Sequence, residues 1–327
     1  MKVTIIGTIN EDHVFLPGQE EERISFGGIL YNTIRMAVLF GDRATIYPVT
    51  RIGREHFEPI AGILAPYPQV RLEGLLESPL GTNESYLYFT DSKNRDERII
   101  LHAEPLSLAE MEPFLDSDII HYNSISGREM DKETFEALAK RTHALLSMDI
   151  HNRISNFEPD GVPYFRRFTE WREWVLHLEM VQMNETEASF LGGDRILSNI
   201  ADLVPIGVDL VRAGPSQALI TLGRDGALLV YRRSDRIYSL HVPATSHPPV
   251  NTTGCGDAFS SGYLFAFKNG LDPPYSTLFA STVAGVKAAT DGLGDSFPGE
   301  RYWDEMQREY AHLIARIQSG WGGEQVA

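Results

Sequence analysis

The chain has 327 residues, 43% of them hydrophobic and 23% charged, a balance that excludes disordered and fibrous architectures and suits one large domain with a small appendage. Lys+Arg 29 against Asp+Glu 45 gives a net charge of −16, which repels phosphate backbones and argues against a nucleic-acid partner, while a locally positive pocket can still take a small anion. Cys255 is the single cysteine, so an internal disulfide and a thiolate zinc cluster are excluded, and a reducing, cytoplasmic setting is expected.

Met1–Gly7 carries one basic residue before a β-branched run, the pattern of a first strand and not of a secretion signal. Val3–Ile9 is the first predicted strand. Ile29, Thr33 and Ala37 then recur at i, i+4 beside Leu30, Ile34 and Val38, which predicts a helix ending at Gly41. Further strands are predicted at Ala44–Val49, Asp118–Tyr122, Leu145–Ile150, Met180–Met183, Ala218–Leu222 and Ala227–Tyr231. Helical patterns fall at Lys132–Leu146, at Ala258–Asn269 (closed by Gly270) and at Tyr275–Ala289. Strands alternating with helices imply right-handed crossovers and a mostly parallel sheet covered on both faces. No run approaches the ~18 apolar residues of a membrane span.

One stretch departs from this alternation. Ser85–Thr90 and Arg98–Ala103 alternate with period two around a polar loop at 91–97, which predicts a hairpin. With Asp12–Phe26 it would form a small antiparallel sheet. The expected division is a discontinuous main domain over 1–11, 27–84 and 104–327, and a small β lid over 12–26 and 85–103. An open lid edge invites pairing with a second copy, hence a possible homodimer. Gly320–Ala327 reads as a frayed tail.

The segment most informative about chemistry is Pro248–Gly262, in which Gly254 and Gly256 flank Cys255 and Asp257 follows at the start of a helical pattern. Glycines there let the backbone turn tightly and aim several N–H groups at one point, and the helix N-terminus favours an anion. Asp257 beside that anion can take a proton from a nucleophilic hydroxyl. Spacing alone leaves a second reading open, in which Asp257 caps a helix and the glycines make a turn.

Asn251–Gly262 resembles the C-terminal motif of the ribokinase-like (PfkB) carbohydrate kinases, which usually reads Asp-Thr-x-Gly-Ala-Gly-Asp. Other marks of that family stand in the same order. Gly7–His13 resembles its first-strand motif, implying sugar contacts by Asn10 and Asp12. Gly27-Gly28-Ile29-Leu30-Tyr31-Asn32 is similar to its Gly-Gly-x-x-x-Asn element, implying that Gly27, Gly28 and Asn32 line the sugar pocket. Asn184–Glu187 fits Asn-x-x-Glu, whose Asn184 and Glu187 would organise Mg²⁺ through water. Thr221–Gly226 matches Thr-Leu-Gly-x-x-Gly, implying nucleotide contacts by Thr221, Gly223 and Gly226, with Thr253. Taken from the residues alone, Asp12, Gly27 with Gly28, and Gly223 with Gly226 could each be turn residues, and Asn184 with Glu187 an ordinary helix cap.

The resemblance implies a three-layer α/β/α ribokinase-like fold and ATP-dependent phosphorylation of a primary hydroxyl on a sugar-like substrate. Asp257 would be the base, with Gly254, Cys255 and Gly256 steadying the phosphoryl group and the lid excluding water. A nucleoside kinase and a non-catalytic sugar sensor are the alternatives; Tyr86, Tyr88 and Phe89 of the lid could stack a base or pack the small sheet. Three departures stand out. Asn251 replaces an acid that helps bind a monovalent cation in potassium-activated members, so that activation is in doubt. Cys255 replaces the commoner alanine, and Ile29 a lysine frequent in ribokinases proper. Asp149–Arg153 loosely resembles an Asp-x-Asn-x-Arg element, one residue too long. Neither a Gly-x-x-x-x-Gly-Lys-[Ser/Thr] nor a Gly-x-Gly-x-x-Gly nor a His-Glu-x-x-His motif is present.

Overall fold

The computed structural model describes residues 1–18, 21–89, 95–193, 196–197, 199–293 and 299–327. Short apolar runs make its centre. Lys2–Ile6, Ile119–Asn123, Leu145–Asp149, Met180–Asn184 and Gln217–Thr221 are buried along nearly their whole length, as strands covered on both faces must be. They pair in parallel, and Thr45–Ile52 and Leu75–Glu77 continue the parallel run beyond Lys2–Ile6. Ala227–Arg233, Arg236–Val242 and Glu324–Gln325 add an antiparallel flank and complete a ten-stranded sheet.

Alternation along each strand feeds two separate cores. Val3 and Ile5 pack with helices Leu30–Phe40, Cys255–Lys268, Pro273–Ala288 and Arg301–Gln318; Ile6 packs on the other face with Lys132–Arg141, Trp171–Val175 and Ile200–Ala213. This is the expected three-layer α/β/α arrangement. No helix among the described residues is long and apolar enough to cross a membrane.

A second sheet runs in the order Arg23–Phe26, Asn10–Phe15, Asn83–Phe89, Arg95–Ile100. Its outer pairs are antiparallel, as anticipated, but Asn10–Phe15 and Asn83–Phe89 lie parallel. They follow Lys2–Ile6 and Leu75–Glu77, which point the same way in the large sheet, so both leave it in one direction. Across this central pair His13 stacks on Tyr86 at 4.5 Å and Phe15 on Tyr88 at 4.7 Å. The Arg95–Ile100 edge is partly covered, because Ile99 N donates to Gly161 O.

Three expectations need correction. The helix from Lys132 stops at Arg141, where Thr142 turns extended, and Leu145 already opens the next strand. The first strand ends at Ile6, and Asn10 starts the second sheet instead. The C-terminal segment is held in place: Glu324–Gln325 pairs with Tyr238 and Ser239, and Ile237 N donates to Ala327 O at 2.7 Å, because Arg236–Val242 would otherwise be an unpaired edge. Of the predicted 91–97 loop, 91–94 lie outside the described residues and Arg95–Glu97 are strand.

Candidate active site

The polar residues of interest stand where parallel strands end. Asn123, Asp149, Asn184 and Thr221 are each the last residue of their strand, at the carboxyl edge where open α/β sheets present their crevice. Register lines up Asn123 with Asp149 and Asp149 with Gln182 across three neighbouring strands. Their polar side chains interrupt otherwise apolar runs, the one sequence signal by which Asn123 and Gln182, absent from the motif-based set, could have been found.

Asp257 is brought to this edge by the helix Cys255–Lys268. Gly254 precedes the helix with φ 79°, a left-handed conformation that favours glycine, and the Tyr31 ring lies so close that a methyl group at Gly254 would stand 2.3 Å from it. Gly254, the N-cap, brings no side chain to this N-terminus. Among the described residues Thr253 N bonds to Asn251 Oδ1, Cys255 N turns back to Thr252 O and Asp257 N bonds its own carboxyl, which leaves the first-turn N–H of Gly256 for an anion. The Cys255 thiol is pushed up to about 11 by burial and stays protonated.

Asn123 Nδ2 donates to Asp257 Oδ1, while no second side chain engages the other oxygen among the described residues. Burial pushes the Asp257 carboxyl up to about 6, against the opposing pull of the Asn123 bond and of Lys287. Asn32 is wholly buried. Its Nδ2 donates to Asp257 O and Ser260 Oγ, and its Oδ1 accepts from Asn123, so it holds the acid's surroundings in place.

Gly27, Gly28 and Asp12 form the other side. A methyl group at Gly27 would stand 2.2 Å from Asp12 Oδ2, so glycine there admits the carboxylate; Gly28 has φ 64° and lies against Thr8 O. Asn10 Nδ2 donates to Ser85 Oγ, and its backbone O receives Gly27 N. Asp12 and Asp257 are thus tied to the same short segment, 27–32. Ile29 points away, into the core against Gly7.

Asn184 and Glu187 form a reciprocal capping box on helix Glu185–Gly192: Asn184 Oδ1 receives Glu187 N, while both Glu187 oxygens accept from Asn184 N and Nδ2. Burial pushes Glu187 up to about 7. Asp149 is also raised well above its ordinary value, first by burial and then by the charges of Glu187 and Asp257, although Gln182 Nε2 donates to it at 2.7 Å. Three acids whose charges oppose one another suit a hard divalent cation, and the occupied lone pairs of Glu187 favour binding through water. The tight cluster His247, Glu305 and Glu309 is committed internally, to Arg308 and Ser246 among others.

Thr221, Gly223 and Gly226 make the turn from Gln217–Thr221 into Ala227–Arg233. Gly223 and Gly226 have φ 55° and 96°, and a methyl group at Gly226 would strike Val242 O at 2.0 Å. Arg153 is drawn away from the edge by the Trp174 ring at 3.6 Å and by Tyr122 Oη. Of the Asp149–Arg153 element, the acid alone joins the acidic cluster.

With this geometry in view, residues 24–299 match the model of the pfkB family of carbohydrate kinases. The chain belongs to that family.

Several solved structures of ribokinase-family kinases share the fold. The Arabidopsis thaliana ribokinase complexed with ribose and ATP superposes with a TM-score of 0.74 at 18% identity, covering 93% of this chain and 98% of that one. A pyrophosphate-dependent ribokinase-family kinase bound to a pyrophosphate analogue and myo-inositol gives 0.71 at 20%, covering 89% and 96%. Among curated pfkB relatives, the D-tagatose-1-phosphate kinase of Bacillus licheniformis is 31% identical over 120 residues, 36% of this chain and 38% of that enzyme. The alignment with the Borreliella burgdorferi 1-phosphofructokinase, 35% identical, spans 27% of this chain and 26% of that one, so these first relatives are matched over well under half their length. The cytidine kinase of Thermococcus kodakarensis is 24% identical over 83% of this chain and 90% of its own. In this pfkB chain Asn251 Nδ2 donates to Asp291 Oδ1 at 2.7 Å, so the amide that departs from the family's usual acid is engaged by an acid of its own.

Proposed function

We propose that the protein transfers the γ-phosphate of ATP to a primary hydroxyl of a sugar or sugar-like molecule, with Asp257 as general base. The observation that carries this reading is a carboxyl at the head of a glycine-entered helix, held by one oxygen and pushed up to about 6, where a base works near neutral pH. The free oxygen takes the proton of the acceptor hydroxyl as that oxygen attacks the γ-phosphorus in line; the bond to the bridging oxygen breaks and ADP leaves. The N–H group of Gly256 receives charge on the transferred group, with Gly254 and Cys255 shaping the turn.

Asn10, Asp12, Gly27 and Gly28 are assigned to the acceptor, with Asn32 acting through Asn123. Thr221, Gly223, Gly226 and Thr253 are assigned to the nucleotide. Magnesium, held through water by Asn184 and Glu187 with Asp149 nearby, would neutralise the donor phosphates. Residues 12–26 and 85–103 serve as the lid that excludes water. Its less covered edge, Arg23–Phe26, is where a second copy would pair.

A second reading, a nucleoside kinase, draws on the cytidine kinase relative, aligned over most of both chains. Against it, Tyr86 and Tyr88 are already stacked on His13 and Phe15. The test is ADP release from ATP across sugars, sugar phosphates and nucleosides, with pyrophosphate as a second donor. Sugar-dependent ADP release supports the first reading, and nucleoside-dependent release replaces it with the second. Tight binding without turnover removes the kinase assignment.

A further inference from the structure

Lys287, in the helix Pro273–Ala288, is 1% exposed, and its Nζ has no hydrogen-bond partner among the described residues. An ammonium removed from water without a hydrogen-bond partner is costly, so such a group favours added negative charge nearby. Its surroundings indicate which charge that is. Nζ lies 5.6 Å from the centre of the Tyr31 ring, and that ring packs directly on Gly254, the residue that opens the phosphate-facing helix.

The loop leading into that helix is pinned to the same stretch of backbone. Val250 N and Asn251 N both donate to Ala288 O, at 2.6 and 3.0 Å, and Thr290 N donates to Lys287 O. Burial holds the Lys287 pKa below its ordinary value while the charge of Asp257 pulls it up, and Lys287 in turn pulls Asp257 down against burial, so its field reaches the first turn of the helix. Arg35, also nearly buried, adds positive charge nearby and opposes Lys287, while Asp291 is held by Asn251. Nothing in the sequence motifs points to Lys287.

We propose that Lys287 is a built-in cation of the phosphate cradle, a positioning residue whose charge acts across the Tyr31–Gly254 layer on the phosphoryl group in transit. A fixed ammonium at this place makes a diffusible monovalent cation unnecessary. The inference rests on the kinase reading. It predicts that the charge, and not the shape, of residue 287 matters for turnover.

The test compares the full chain with Lys287→Met, using an acceptor that the parent phosphorylates, in tetramethylammonium buffer with and without ammonium chloride. We expect kcat of the variant to fall roughly tenfold or more, with a smaller change in KM for the acceptor. Ammonium should restore the variant several-fold and leave the parent unchanged. A variant within about twofold of the parent, or one whose loss ammonium does not relieve, overturns the proposal. Should Lys287→Met fail to fold, the parent decides: equal rates in tetramethylammonium and potassium buffers support the built-in cation, and a requirement for potassium overturns it. A parent that phosphorylates no acceptor instead sinks the kinase reading itself, and this inference falls with it.

Discussion

Asn123 Nδ2 stands 2.5 Å from Asp257 Oδ1 and 2.9 Å from Asn32 Oδ1, so one amide at the end of a buried strand locks the acid of one helix to the first turn of another. The arrangement fixes which carboxylate oxygen is left for chemistry. It also gives the acid a donor that partly offsets the cost of burying its charge.

Replacing Asp257 by Asn keeps the size and the Asn123 contact but removes the proton acceptor. We expect kcat to drop by roughly 10³ while a fluorescent nucleotide still binds. Turnover like the parent's would remove Asp257 as the base.

The pH profile follows from the same residue. A base pushed up to about 6 works only when deprotonated, so kcat/KM should climb with unit slope to about pH 6 and level off above it. Asn123→Ala removes a bond that holds this pKa down. Its rising limb should therefore move to higher pH, with a loss of roughly several-fold at pH 6 that exceeds the loss at pH 8.

Burial also makes the acid cluster a source of pH-dependent stability. Asp257 rises from 3.8 to about 6 and Glu187 from 4.5 to about 7. A carboxyl raised in the folded state contributes its full stability below the unfolded value, and that contribution is lost as pH climbs through the folded value. The loss falls between about 4 and 7 for this pair. Magnesium offsets repulsion only among charged carboxylates, so it should raise Tm by roughly 1–3 °C at pH 8 and by less at pH 6. Calorimetry with magnesium or EDTA reads the difference; an equal shift at both pH values would count against Glu187 as part of the metal site.

Two glycines with positive φ separate strain from space. Gly28 has φ 64° and a methyl group there would stand 2.0 Å from Thr8 O, whereas Gly41 has φ 53° and nothing within 4 Å. Gly41→Ala should cost about 1 kcal/mol, and Gly28→Ala about 2–4 kcal/mol with loss of acceptor binding. Urea unfolding of both variants checks the order.

The alternation of β-branched runs with helical periods determined the three-layer architecture, because period and burial on both faces are local properties of the chain. Gly254 was likewise legible, since the tight turn into the helix takes the left-handed φ of 79° that favours glycine. Asn123 and Gln182 were not, because a single polar residue ending an apolar strand has no meaning until register sets it beside its neighbours. Lys287 was hidden for the same reason: its helix reads as ordinary, and only folding brings its ammonium up behind Tyr31. Pairing decided the parallel centre of the small sheet and the anchored C-terminus too, since both depend on which strand edges are left open once the large sheet has formed.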